Sequence, residues 1–204
     1  MFKFLIGLIL TLVGIAALML VPSKQTPAPM PWETTIMADG NTQVFGIHLG
    51  NTSYKEAQQI FKNYGKTAVF VQEGHEPTVE AYFESINMGG LSAKVVLNFV
   101  VDPLQLETML NNAMQSKLQP SGARRYELSS EDHARMLDSA INAITYIPSL
   151  KLDEQMVLDR FGAAGEIQQT STQPGLTIWQ YPNIALSVTF NTGEKTVLQY
   201  HLQQ

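Results

Sequence analysis

The chain of 204 residues contains no cysteine. That excludes a disulfide framework, a thiolate metal site, a cysteine nucleophile and a lipid-modified N-terminal cysteine. Charge is sparse too: charged side chains are 15% of the residues, and 13 basic against 18 acidic groups leave a net charge of −5. A nucleic-acid surface needs clustered Lys and Arg. The one adjacent basic pair, Arg124-Arg125, falls far short of that and of a polybasic lipid patch. A surface or interdomain ion pair accounts for it. Catalytic signatures are missing as well. The sequence has no G-x-S-x-G elbow, no P-loop and no dinucleotide fingerprint. Met88-Gly89-Gly90 is too short to cradle a phosphate and reads as a turn. The four histidines, His48, His75, His133 and His201, show no metal-ligand spacing. No metal, no cofactor and no nucleic-acid partner are expected, and no motif commits the chain to a reaction.

What is present begins with an uncharged apolar run, Phe4–Val21. At 1.5 Å per residue it reaches about 27 Å, near the lower limit for a spanning helix. Lys3 and the amino terminus precede it, so the positive-inside rule places the N-terminus in the cytoplasm and the rest outside. A cleaved signal peptide is the alternative. The length of the run and the lack of a small-x-small triplet before Pro22 favour a retained anchor. The expected organisation is therefore a membrane anchor over 1–22 and a proline-rich linker over 23–31. A first α+β module over 32–118 and a second over 119–204 follow.

Each module has the same grammar: a capped helix, a glycine stop, then strands. In the second, Asp153 is a cap and Met156, Val157 and Phe161 form an apolar stripe ended by Gly162. Thr177–Tyr181, Leu186–Phe190 and Leu198–Leu202 alternate at strand spacing. In the first, Ser53 and Glu56 form a capping box. Tyr54, Ala57, Ile60, Phe61 and Tyr64 make the stripe, and Gly65 ends it. Lys66–Gln72, Glu80–Ile86 and Lys94–Val101 are the strands. Gln43–Leu49 and Ile144–Pro148 are β-rich runs preceding the two helices. An internal duplication and two unrelated α+β stretches are both open readings. Between the modules, Asp102-Pro103 starts a helix with Leu106, Met109, Leu110, Ala113 and Met114 inward. Ser129 and Asp132 cap another over Glu131–Asn142, with Met136, Leu137, Ala140 and Ile141 inward. Asp39-Gly40 suits a hairpin turn between Glu33–Met37 and Thr42–Phe45. The expected fold is α+β, with two antiparallel sheets each covered by helices.

Two clusters carry possible acid–base chemistry. Glu73-Gly74-His75-Glu76-Pro77 is more simply a solvated hairpin tip. Glu131-Asp132-His133 is more simply a helix first turn, where acids belong, with His133 at the surface. Period-2 alternation nominates a binding surface instead. Lys94 and Asn98 in the first meander, and Ser187, Thr189, Gln199 and His201 in the second, lie opposite the apolar positions. If the two sheets join, these residues form one broad polar face. Plain solvent exposure of that face is the alternative.

Five segments carry a resemblance: PWETTIMADGNTQVFGIHLG, EAYFESINMGGLSAKVVL, SGARRYELSSED, ITYIPSLKLDEQMVLDRFG and TVLQY. In them the chain resembles a family of membrane-anchored proteins of proteobacteria, and no activity comes with that resemblance. More distantly, each helix–Gly–meander unit is similar to the outer-membrane-assembly lipoproteins of the SmpA/OmlA (BamE) type and to tandem β-lactamase-inhibitor modules. Both are binding modules, although this chain lacks the lipidated cysteine. The anchor, the linker, the repeated module and the missing chemistry lead to the expectation of a single-pass protein of the bacterial inner membrane whose periplasmic part binds another envelope protein without catalysis. Alternatives are a periplasmic hydrolase or metal-dependent enzyme using Glu73, His75, Glu76 or His133, and an inhibitor of a periplasmic enzyme.

Overall fold

The computed structural model describes residues 29–169 and 174–203. The Phe4–Val21 anchor and most of the linker lie outside the described residues. Among those described, no helix is long and apolar enough to cross a membrane.

The chain is α+β and its sheets are antiparallel. A three-stranded sheet comes first: β1 (Thr34–Ile36), β2 (Thr42–Val44) and β3 (Ile47–His48). The β1–β2 turn falls at Asp39-Gly40, as the sequence predicts. Helix α1 (Tyr54–Phe61) follows, then β4 (Lys66–Val71), β5 (Thr78–Met88) and β6 (Leu91–Phe99). Next come α2 (Pro103–Asn111), β7 (Gln115–Leu118), β8 (Arg124–Glu127) and α3 (Ser130–Met136). The chain continues through β9 (Ile141–Pro148), α4 (Glu154–Phe161) and β10 (Glu166–Gln169). It closes with β11 (Leu176–Tyr181), β12 (Leu186–Asn191) and β13 (Val197–His201).

The caps are where the sequence puts them. Ser53 and Glu56 close a reciprocal capping box on α1. Asp102 accepts from the N–H groups of Leu104 and Gln105. Ser129 accepts from the Asp132 N–H, and Asp153 from the Met156 N–H at 2.8 Å. Each satisfies first-turn amides that have no helical partner.

Four local expectations are corrected. Helix α1 ends at Lys62, which takes the left-handed conformation with φ 51°. Tyr64 is therefore 79% exposed rather than part of the stripe. Its carbonyl instead accepts from Tyr54 Oη and Gln58 Nε2. Helix α2 ends at Asn111, so Met114 is 67% exposed. Helix α3 stops at Met136, and Ile141 begins a strand; the stripe expected through Asn142 mistook strand positions for helical ones. In α4 only Val157 is fully buried, while Met156 is exposed and Phe161 half-buried.

The largest departure is in the sheets. Ten strands form a single sheet in the order β10-β11-β12-β13-β9-β6-β5-β4-β8-β7. The two expected sheets are one, because β9 pairs with β6 on one side and β13 on the other. The border expected after Leu118 falls in the β7–β8 hairpin, which pairs with β4. Gly162 follows α4 with positive φ, 78°, but its ψ of −165° is extended rather than the left-handed helical value expected of a helix stop. Gly65 does not end α1, which stops at Lys62, but it is needed for space: a Cβ there would lie 2.8 Å from the Phe83 ring.

Register divides this sheet into two faces. One cross-strand row runs Phe83, Val95, Tyr146, Leu198, Val188 and Trp179. All six are buried. Tyr54 and Phe61 of α1 pack edge-on against Phe83, Phe45 of the small sheet stacks on Tyr146, and Phe161 meets Tyr181. The helices and the small sheet thus share one face, and the core lies between.

Candidate functional site

The next row along, one residue over, runs Tyr82, Val96, Thr145, Gln199, Ser187 and Gln180. None is buried. Since consecutive side chains on a strand point to opposite faces, this row marks the face that no helix covers among the described residues. The six nominated residues all belong to it. Asn98 pairs with Ala143, which pairs with His201. Gln199 pairs with Ser187, Lys94 with Ile147, and Thr189 with Val197. Lys94 and Gln199 are exposed, and Asn98, Ser187, Thr189 and His201 half-buried. Two meanders distant in sequence thus supply one surface. Six strands from β5 to β11, about 4.8 Å apart, make it roughly 25 Å wide.

Its polar groups are lightly charged and partly tied together. Ser187 Oγ donates to Gln180 Oε1 at 2.7 Å. Thr78 Oγ1 donates to Glu80 Oε1 at 2.8 Å, and Asn98 Nδ2 approaches the same oxygen at 3.5 Å. At one end the β6–β9 register shifts: Asn98 faces Ala143 but Phe99 faces Ile141. Asn142 is the extra residue of this bulge, and its Oδ1 is buried without a partner among the described residues. A pocket of about 440 Å³ opens there, lined by Asn98, Asn142, Ala143 and Gln199. Bulges commonly re-aim a side chain beside a functional surface.

The acid–base candidates do not come together. Glu73, His75 and Glu76 are exposed on the β4–β5 turn, and His75 Nδ1 reaches only the Glu73 carbonyl, at 3.2 Å. His133 is a correction to the surface reading: it is half-buried, its Nδ1 2.8 Å from Thr67 Oγ1. Asp132 beside it is fully buried, accepting from Ser129 Oγ at 2.6 Å. His48 Nε2 lies 2.9 Å from Asp39 Oδ2. The Asp39 carboxyl is held below its usual range by the side chain and N–H of Asn41, then by His48. Among the described residues, no three His, Asp or Glu side chains are placed to hold a metal ion.

Sequence reasoning missed the middle of the face. Val96, Thr145 and Ile147 lie between the two nominated patches. The Thr145–Tyr146 alternation carried a strand signal, but only long-range pairing shows β9 to be the bridge. No protein-family model, curated protein or solved structure matches this chain.

Proposed function

We propose that this protein is a non-catalytic binding module of the bacterial envelope. Phe4–Val21 holds it in the inner membrane, and the open sheet face receives another envelope protein. One observation carries the reading: two helix–meander units contribute polar, lightly charged residues to a single face that nothing covers among the described residues. Their joining through β9 supports reading the units as tandem modules. Small side chains such as Ser187, Thr189, Ala143 and Thr145 let a partner approach the sheet closely. The width of the face suits a standard interface, which covers about 800 Å² on each partner. The resemblance to envelope-assembly lipoproteins and inhibitor modules, which are binding modules, points the same way.

The test is capture from envelope extracts with the full chain, native against Thr189→Arg. The bulky cation on the face is expected to weaken recovery of the native partner while the fold persists. Equal recovery of the same proteins by both would overturn the sheet-face assignment. The anchor has its own test. The protein should stay with the membrane under an alkaline carbonate wash, and release, or a mature N-terminus near Pro22, would contradict it.

A further inference from the structure

On the helix-covered side of the sheet, away from the open face, lies an apolar cleft of about 450 Å³. Trp32, Leu91 at the start of β6, Tyr146 of β9, and Met156, Arg160 and Phe161 of α4 bound it. The volume is within the range of small-molecule sites, about 300–1,000 Å³. Its walls expose apolar side chains that the core does not use: Leu150 is 57% and Met156 43% exposed. This is why α4 carries an apolar stripe of which only Val157 is fully buried.

The polar groups of the cleft choose the ligand. Among the described residues Arg160 is the only charged residue in its lining, and no carboxylate lines it. The guanidinium stands 4.4 Å from the centroid of the Trp32 ring and forms no ion pair among the described residues. A cationic ligand would meet Arg160 unopposed, and a compact polar one would leave the apolar wall unfilled. An anion carrying a hydrocarbon chain satisfies both. We propose that the cleft binds a long-chain carboxylate, its tail lying between Leu91 and α4 and its head group at Arg160. The site is separate from the sheet face and stands whether or not that face binds a protein.

The test uses the full chain in phosphatidylcholine vesicles and a hexadecanoic acid carrying a diazirine in its tail. After irradiation, crosslinked peptides are mapped by mass spectrometry. The expected label falls on Leu150–Phe161 and is competed by unlabelled hexadecanoate. It should drop about tenfold in Arg160→Glu, which changes an exposed helix position and leaves the fold intact, and survive in Arg160→Lys. The methyl ester of the probe should label this segment about tenfold less than the acid, since it offers no charge to Arg160. Label confined to other segments, or equal labelling by acid and ester, or equal labelling of the native protein and Arg160→Glu, would overturn the proposal.

Discussion

Tyr146 and Tyr200 differ in one respect that a single oxygen decides. Both are buried, but the Tyr200 hydroxyl donates to the Pro31 carbonyl, whereas the Tyr146 hydroxyl has no partner among the described residues. Removing a bonded hydroxyl typically costs about 0.5–1.5 kcal/mol, while removing an unsatisfied one relieves a desolvation penalty. Tyr200→Phe should therefore destabilise by about 1 kcal/mol in urea unfolding, and Tyr146→Phe should be neutral or slightly stabilising at neutral pH. Burial pushes the Tyr146 phenol up to about 12, and pushes Tyr200 up as well. The folded state then holds these protons more tightly than the unfolded chain does. Their contribution is full below about pH 10, the ordinary tyrosine value, and lost as pH rises through the folded value. Stability should fall between about pH 10 and 12, and less steeply in Tyr146→Phe; a parallel fall in both proteins would contradict this. The histidines separate in the same way. His133→Ala loses a bond to Thr67 and should cost about 1 kcal/mol, whereas His75→Ala, on an exposed turn, should stay within about 0.5 kcal/mol.

At the scale of elements, α4 behaves as the wall of a cleft more than as the lid of a core. Phe83, 1% exposed under α1, should cost about 3–5 kcal/mol on truncation to Ala. Phe161→Ala should cost less than half of that, because its ring is only half-buried against Tyr181. Equal costs in chemical denaturation would show that α4 is sealed into the core. Gly162→Val should destabilise by about 1–3 kcal/mol, since φ 78° with ψ −165° is a region open essentially to glycine alone. Nothing lies within 4 Å of a Cβ at Gly162, so that cost is backbone strain rather than collision. The same helices show what a sequence makes legible. The four caps, the Tyr54–Phe61 part of the α1 stripe and the strands from β4 to β6 and β11 to β13 follow from local chemistry and were readable. The edge strands β7 and β10 are short and wholly exposed, so they carry no alternation to read. The first residues of β9 were hidden because Ala140 and Ile141 fit a 3.6-residue period behind the Ser129 cap.

Over the described residues the large sheet is covered on one side only, and the function as proposed depends on that asymmetry. Alternation alone placed Lys94, Asn98, Ser187, Thr189, Gln199 and His201 on outer faces. It did not place the two patches side by side, because strand pairing across some hundred residues leaves no local trace. The cleft beside α4 was illegible for the same reason: it is assembled from Trp32, the β5–β6 turn, the end of β9 and the helix. On the open face Thr189→Arg should change stability by no more than about 0.5 kcal/mol, since its side chain need not leave solvent. The most direct measurement of the central claim is a photocrosslinking scan of the full chain in intact cells. The photoreactive residue replaces Lys94, Thr145, Thr189 or Gln199 on the face, and Gln59 or Gln155 on the helices. The account predicts adducts with one and the same partner from the four sheet positions and none with it from the two helix positions. That partner crosslinking from Gln59 and Gln155, with the sheet positions silent, would contradict it.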